Sequence, residues 1–139
     1  MSARGDLWLR LVQSVATVEA ELGRILQDQY GIGLSDYRAL EALERAPKSE
    51  LRMQELAAHL QLNQSSVSRM VERLERSGLT IRDLCPDDKR GVYTVLTDKG
   101  RTHLAAARPE YEKALEAAIA RHAGGDALAA AFANAGQAV

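Results

Sequence analysis

Two short stretches hold the side chains that could do chemistry, and in both the chemistry is recognition of an anionic polymer. Residues 64–69 read Gln-Ser-Ser-Val-Ser-Arg, an amide, three hydroxyls and a guanidinium within about two helical turns. Arg69 can take guanine bidentately and Gln64 can read adenine, while Ser65, Ser66 and Ser68 can bond phosphates or base edges at close approach. On their own, such serines equally cap and solvate an ordinary surface helix. The second stretch, residues 87–100, reads DDKRGVYTVLTDKG. Arg90 sits where a hairpin tip would be, and an arginine there can enter a narrow minor groove, where the negative potential is enhanced. Asp88 can orient it, Lys89 can touch phosphate, and Gly91 permits the turn the tip requires. The bland alternative is an exposed Asp88–Arg90 ion pair, worth roughly 0–1 kcal/mol. Arg73 and Arg52 are further phosphate candidates, whereas Arg76 and Arg82 read as solvated face.

These residues need elements to hold them. Residues 64–77 carry Val67, Met70, Val71 and Leu74 at helical spacing, and residues 55–60 bring Leu56, Ala57 and Leu60 to the same apolar face. The tight segment Gln61-Leu62-Asn63 joins them, so the pair reads as a helix-turn-helix. Gly78 supplies a C-terminal cap. Beyond it, Leu79, Ile81 and Leu84, then Val92 to Leu96, alternate as strands do, which makes the second stretch a hairpin with a charged tip. Residues 51–53 read as a short extended link. Upstream, Trp8, Leu11, Val15, Val18, Leu22 and Ile25 form a seam over residues 6–30 that wants a partner helix. Gly31 and Gly33 end that helix, and Ser35 can cap a second one reaching Arg45 and carrying Tyr37, Leu40 and Leu43 inward. Thr97 can cap a long helix to about His122, with Pro109 expected to kink it, and an Ala-rich tail holding Leu128 and Phe132 reads as a last short helix.

Composition narrows the function classes. The 139 residues suffice for one domain, and 46% apolar with 27% charged residues matches a globular chain rather than a disordered one. No apolar run approaches the roughly 20 residues of a membrane span, and no signal-peptide core opens the chain, so a cytoplasmic protein is expected. The net charge is −1, yet from Leu51 to Arg101 nine basic residues face seven acidic ones, a local +2. Cys85 is the single cysteine, which excludes an internal disulfide, and His59, His103 and His122 show no metal-ligand spacing with it. There is no nucleophile–base constellation and no phosphate-cradling glycine motif, so no enzyme, metal or cofactor is expected.

The wing elements Asp88, Arg90 and Gly91, followed by Leu96, Thr97 and Gly100, together with Leu56 and the run Arg73, Leu74, Glu75, Gly78, Leu79, resemble the MarR family of bacterial transcription regulators over nearly the whole chain. The resemblance implies a mainly α fold with a small β-hairpin wing: a winged helix-turn-helix lobe over residues 35–100, with long dimerisation helices over 6–30 and 101–139, all within one domain, 1–139. It implies a homodimer on a pseudo-palindromic double-stranded DNA operator, usually as a repressor. It also implies a crevice on whose helices Trp8, Tyr30, Tyr37, Arg38, Arg108 and Tyr111 lie, where small aromatic or phenolic effectors bind. The plainer reading of those residues is that the aromatics are core and Arg38 pairs with an acid.

Two other function classes stand beside this one. A winged-helix module that binds protein and not DNA fits the mild acidity, and Cys85 at the base of the wing allows a redox-responsive regulator. Sensor cysteines in regulators resembling this family lie in the N-terminal helical region instead, so packing is the simpler role for Cys85.

Overall fold

The computed structural model describes residues 2–84 and 92–122. Its elements are α1 (Ala3–Tyr30), α2 (Leu34–Arg45), a 3-10 turn (Pro47–Ser49), β1 (Glu50–Arg52), α3 (Met53–Leu60), α4 (Gln64–Arg76), β2 (Thr80–Leu84), β3 (Val92–Leu96) and α5 (Asp98–His122). The order is the expected one with the turn added; the tail with Leu128 and Phe132 lies outside the described residues. The fold is a winged helix. The chain divides into two compact units, one of residues up to Gly31 with those from Pro109 onward, the other of Ile32–Arg108. Helix α5 continues through Pro109, where the expected kink would fall, and the division between units lies at that residue.

In the unit of Ile32–Arg108, apolar periodicity becomes a core. Tyr37, Leu40 and Leu43 of α2, Leu56 of α3, Val67, Met70, Val71 and Leu74 of α4, and Leu104 of α5 are all buried. Each contributes about 1.5–3 kcal/mol by leaving water. Their spacing on α4 leaves one stripe for the core and the opposite stripe for solvent. The sheet runs β1-β3-β2, both pairs antiparallel, with Leu51 opposite Thr94 and Leu84 opposite Val92. Thr94 and Leu96 are buried while Tyr93 and Val95 lie half-buried on the other face, as period-2 alternation requires.

Helix α2 starts differently from expectation. Its N-cap is Gly33, and Ser35 falls inside the first turn. The capping acceptor is Asp36, whose Oδ2 takes the Gly33 N–H at 2.9 Å. A carboxylate at the third helical position reaches back to the cap residue, and its negative charge suits a helix N-terminus.

In the other unit the seam expected on α1 is buried in part. The buried residues of α1 are Val18, Leu22 and Leu26, four apart, whereas Trp8 is 66% exposed and Val15 40%. Alternating steps of three and four marked one apolar stripe, but α1 carries apolar residues on more than one side over its first half. On α5, Ala118 and Tyr111 are buried. Glu21 clasps the end of that helix: its Oε1 lies 2.6 Å from His122 Nε2, and Arg121 donates to Oε2. The bond to His122, with Arg121 adding, outweighs desolvation and lowers the Glu21 pKa below the ordinary carboxylate value.

Candidate nucleic-acid interface

The first turn of α4 is tightly specified. Asn63 is its N-cap, and its Oδ1 accepts both the Ser66 N–H at 2.8 Å and the Ser65 hydroxyl at 2.9 Å. That double acceptance fixes where the helix begins and turns Ser65 toward its own cap. Gln61 precedes it with φ 57°, the left-handed conformation that reverses the chain between α3 and α4. With Val67, Met70, Val71 and Leu74 facing inward, the helix presents Ser65, Arg69, Glu72 and Arg76, spaced four, three and four, to solvent. Gln64 is exposed, and Ser66 and Ser68 are half-buried at the flanks. Among the described residues Arg69 and Arg76 take no ion-pair or hydrogen-bond partner. Arg76, read from sequence as solvated face, thus shares the outward stripe with Arg69; a helical wheel centred on the apolar residues finds it.

The far end of α4 is built into the wing. Leu79 N–H bonds the Leu74 carbonyl at 3.0 Å and Gly78 N–H bonds that of Glu75 at 3.0 Å, with Gly78 at φ 77°. This Schellman closure lets the chain leave the helix at a fixed angle. Thr97, the expected cap of α5, accepts the Gly100 N–H at 3.0 Å, and its hydroxyl donates to the Gly78 carbonyl at 2.7 Å. Its own N–H bonds the Leu79 carbonyl at 3.1 Å. Lys99 Nζ donates to the Ser77 carbonyl at 2.8 Å, a cation at a helix C-terminus. Gly100 makes this closeness possible, because a Cβ there would lie 2.1 Å from the Leu79 oxygen. One joint, residues 77–79 with 97–100, therefore roots the end of α4, both strands of the wing and the start of α5.

The remaining cations divide by partner. Arg73 Nη2 donates to Asp36 Oδ1 at 3.1 Å. Arg52 Nε donates to the Tyr93 hydroxyl at 3.1 Å, with its guanidinium carbon 5.2 Å from that ring's centroid. Arg82 Nε donates to Glu75 at 2.7 Å, and Arg101 to the Ser49 hydroxyl at 2.7 Å. Arg73 and Arg52, expected as phosphate contacts, are thus engaged within the protein, though Arg73 keeps half its side chain exposed. Asp88, Lys89, Arg90 and Gly91 of the wing tip, and Cys85, lie outside the described residues. The strands that carry the tip are paired up to Leu84 and Val92.

The expected effector residues fall three to each unit. In the unit of Ile32–Arg108, Tyr37 is fully buried and Arg108 bonds Glu44 at 2.6 Å. That bond, against the opposing effect of burial and with Tyr37 adding, raises the Arg108 pKa above the ordinary value. Arg38 instead lines a cavity of about 310 Å³ with Glu41, Ala42, Arg45, His59 and Leu60. In the other unit Trp8 is exposed, Tyr30 half-buried and Tyr111 buried. Neither unit by itself gathers the six. No group of three or more metal-ligating side chains occurs among the described residues, and no described helix is long and apolar enough to cross a membrane.

Comparison with known proteins agrees with this geometry. The MarR family model matches residues 30–91. The uncharacterised HTH-type transcriptional regulator YkoM of Bacillus subtilis is 35% identical over 77 residues, covering 55% of this chain and 48% of that protein, so the match spans about half of the relative's length. The MarR family regulator Sco3205 of Streptomyces coelicolor, solved in complex with DNA, superposes with a TM-score of 0.80 at 34% identity, over 86% of this chain and 76% of that one. AbsC, a MarR family regulator of the same organism, gives 0.75 at 25% identity over 88% and 80%. With its helix-turn-helix, its rooted wing and this similarity across most of its length, the chain belongs to the MarR family of transcriptional regulators.

Proposed function

We propose that this chain acts as a homodimeric repressor that reads a pseudo-palindromic operator with the outward face of α4. The observation that carries the reading is the outward stripe Ser65, Arg69, Glu72 and Arg76, net cationic and opposite the core, on a helix fixed at both ends. Arg69 and Gln64 read base edges, Ser65, Ser66 and Ser68 sit against the groove walls, and Arg90 with Lys89 at the wing tip reaches the minor groove. Asp88 and Gly91 shape that tip. In a two-fold dimer the two recognition helices enter major grooves about 34–36 Å apart. The apolar side chains Leu7, Trp8, Leu9, Val12 and Val15 exposed on α1 support a dimer, since a second copy would cover them. The terminal segments 6–30 and 101–139 are the dimerisation part, and 35–100 the DNA-binding lobe.

A small aromatic or phenolic acid is the proposed effector, acting by lowering the DNA-competent population. At Arg108 its carboxylate would have to displace Glu44, and such an exchange of anions is a direct way to couple binding to packing around α2. Titrating salt against duplex DNA tests the reading. Affinity is expected to fall by about 0.9 log unit per log unit of salt for each phosphate neutralised, and Arg90→Ala to weaken binding severely. Salt-independent binding, or none, would favour a protein-interaction module instead.

A further inference from the structure

We propose that Asp36 is a positioning residue for DNA binding: it holds the guanidinium of Arg73 at the edge of the outward face of α4, so that the remaining N–H groups meet a backbone phosphate. The inference rests on the reading of α4 as the recognition helix.

Asp36 is only 7% exposed, and a buried carboxylate must be paired or hydrogen-bonded. Its two oxygens have separate partners. Oδ2 takes the Gly33 N–H at 2.9 Å and Oδ1 takes Arg73 Nη2 at 3.1 Å. The first bond ties the carboxylate to the start of α2, so it cannot follow a moving arginine; the arginine is the partner that is pinned. A guanidinium has five N–H donors in a rigid fork, and the side chain of Arg73 is still 51% exposed. It can therefore keep Asp36 and offer its other edge outward.

Position supports the second use. Arg73 lies four residues after Arg69 and three before Arg76, beside the stripe proposed to enter the major groove. Side chains flanking a recognition face meet the phosphates of the groove walls, and such contacts fix register rather than sequence. A long cation held in place by folding loses little further freedom on binding DNA, whereas a mobile one is ordered at the expense of affinity. On duplexes of the wrong shape a fixed donor also meets no phosphate, so a pinned Arg73 favours the operator over other DNA.

The test is a double-mutant cycle read with two probes: a duplex selected by the wild-type protein from a randomised pool, and a scrambled duplex of the same composition. Asp36→Asn keeps an oxygen for Gly33 but presents an amide N–H₂ to Arg73. It is expected to weaken binding to the selected duplex by about tenfold while binding to the scrambled duplex is unchanged or slightly tighter, because a negative charge has gone. Arg73→Gln should cost at least as much on the selected duplex, and the double variant no more than Arg73→Gln alone. Full affinity in Asp36→Asn, or effects that add completely, would overturn the role. If Asp36→Asn fails to fold, Arg73→Lys takes its place: a lysine keeps the charge without the fork, so an undiminished preference for the selected duplex would overturn the role equally. A wild-type protein that selects no duplex would defeat the DNA reading and this one together; selection with an indifferent Asp36→Asn would defeat only this one.

Discussion

The joint between α4 and the wing and the first half of α1 are opposites in how far the chain completes its own structure. At the joint, residues 77–79 and 97–100 satisfy one another with backbone bonds, a threonine cap, a lysine on a helix end and a glycine that admits contact too close for any side chain. On α1, Leu7, Trp8, Leu9, Val12 and Val15 stay in solvent, while only Val18, Leu22 and Leu26 are buried. The part proposed to present DNA-reading side chains at fixed angles is closed by its own chain. A part left apolar and open is consistent with the proposed second copy closing it. A rigid reading element and an apolar face left open are what the proposed dimeric reader of DNA requires.

The largest expected effect is at the joint. Gly100→Ala puts a Cβ 2.1 Å from the Leu79 oxygen and 2.8 Å from Leu96 Cδ1. Backbone has to move, so a loss of about 3 kcal/mol or more is expected in denaturant unfolding; a loss below about 1 kcal/mol would show that the joint yields. Next is the open face of α1. Trp8→Ser with Val12→Ser removes apolar area only a partner would bury, at about 1.5–3 kcal/mol per covered side chain. Sedimentation should show the double variant shifting to monomer, with the helical circular dichroism of the wild type. Unchanged assembly would mean that this face is not the interface.

The smallest effect sharpens the contrast within the helical unit. The Glu21 pKa is lowered by His122 and Arg121, so its contribution to stability is present above the ordinary carboxylate range and is lost as pH falls through the depressed value. Glu21→Gln should flatten that acid limb of a thermal-unfolding pH series, while the same substitution leaves stability at the wing joint untouched. A limb of the same steepness in the variant would assign the acid sensitivity elsewhere.

Local periodicity made most of the fold legible. The stripe Val67, Met70, Val71, Leu74 located α4 and its core face, and Thr97 was readable as a cap from its type and place. What escaped the sequence is mainly long in range. Nothing near Arg73 announces Asp36, 37 residues away, and nothing near Arg52 announces Tyr93, which is brought opposite it only by the β1–β3 register. On α1 the pattern was ambiguous, because apolar residues on several sides allow more than one seam; burial within the chain falls on Val18 and Leu22 of the expected seam and on Leu26 rather than Ile25. Asn63 was visible as a cap residue by type, yet lay hidden in a segment read only as a turn. Arg76 is exposed, as solvated face requires, but a charge count carries no direction, and only a helical wheel shows that it shares a stripe with Arg69.

The central claim, that the outward face of α4 reads base edges, is tested most directly by selecting duplexes from a randomised pool with wild-type protein and with Arg69→Ala. The wild type is expected to recover two-fold-related half-sites. The variant should lose its preference at one position in each half-site, by about 1–3 kcal/mol, with little change in overall salt dependence. An identical preference in both proteins, or weakening spread evenly over all sequences, would contradict it.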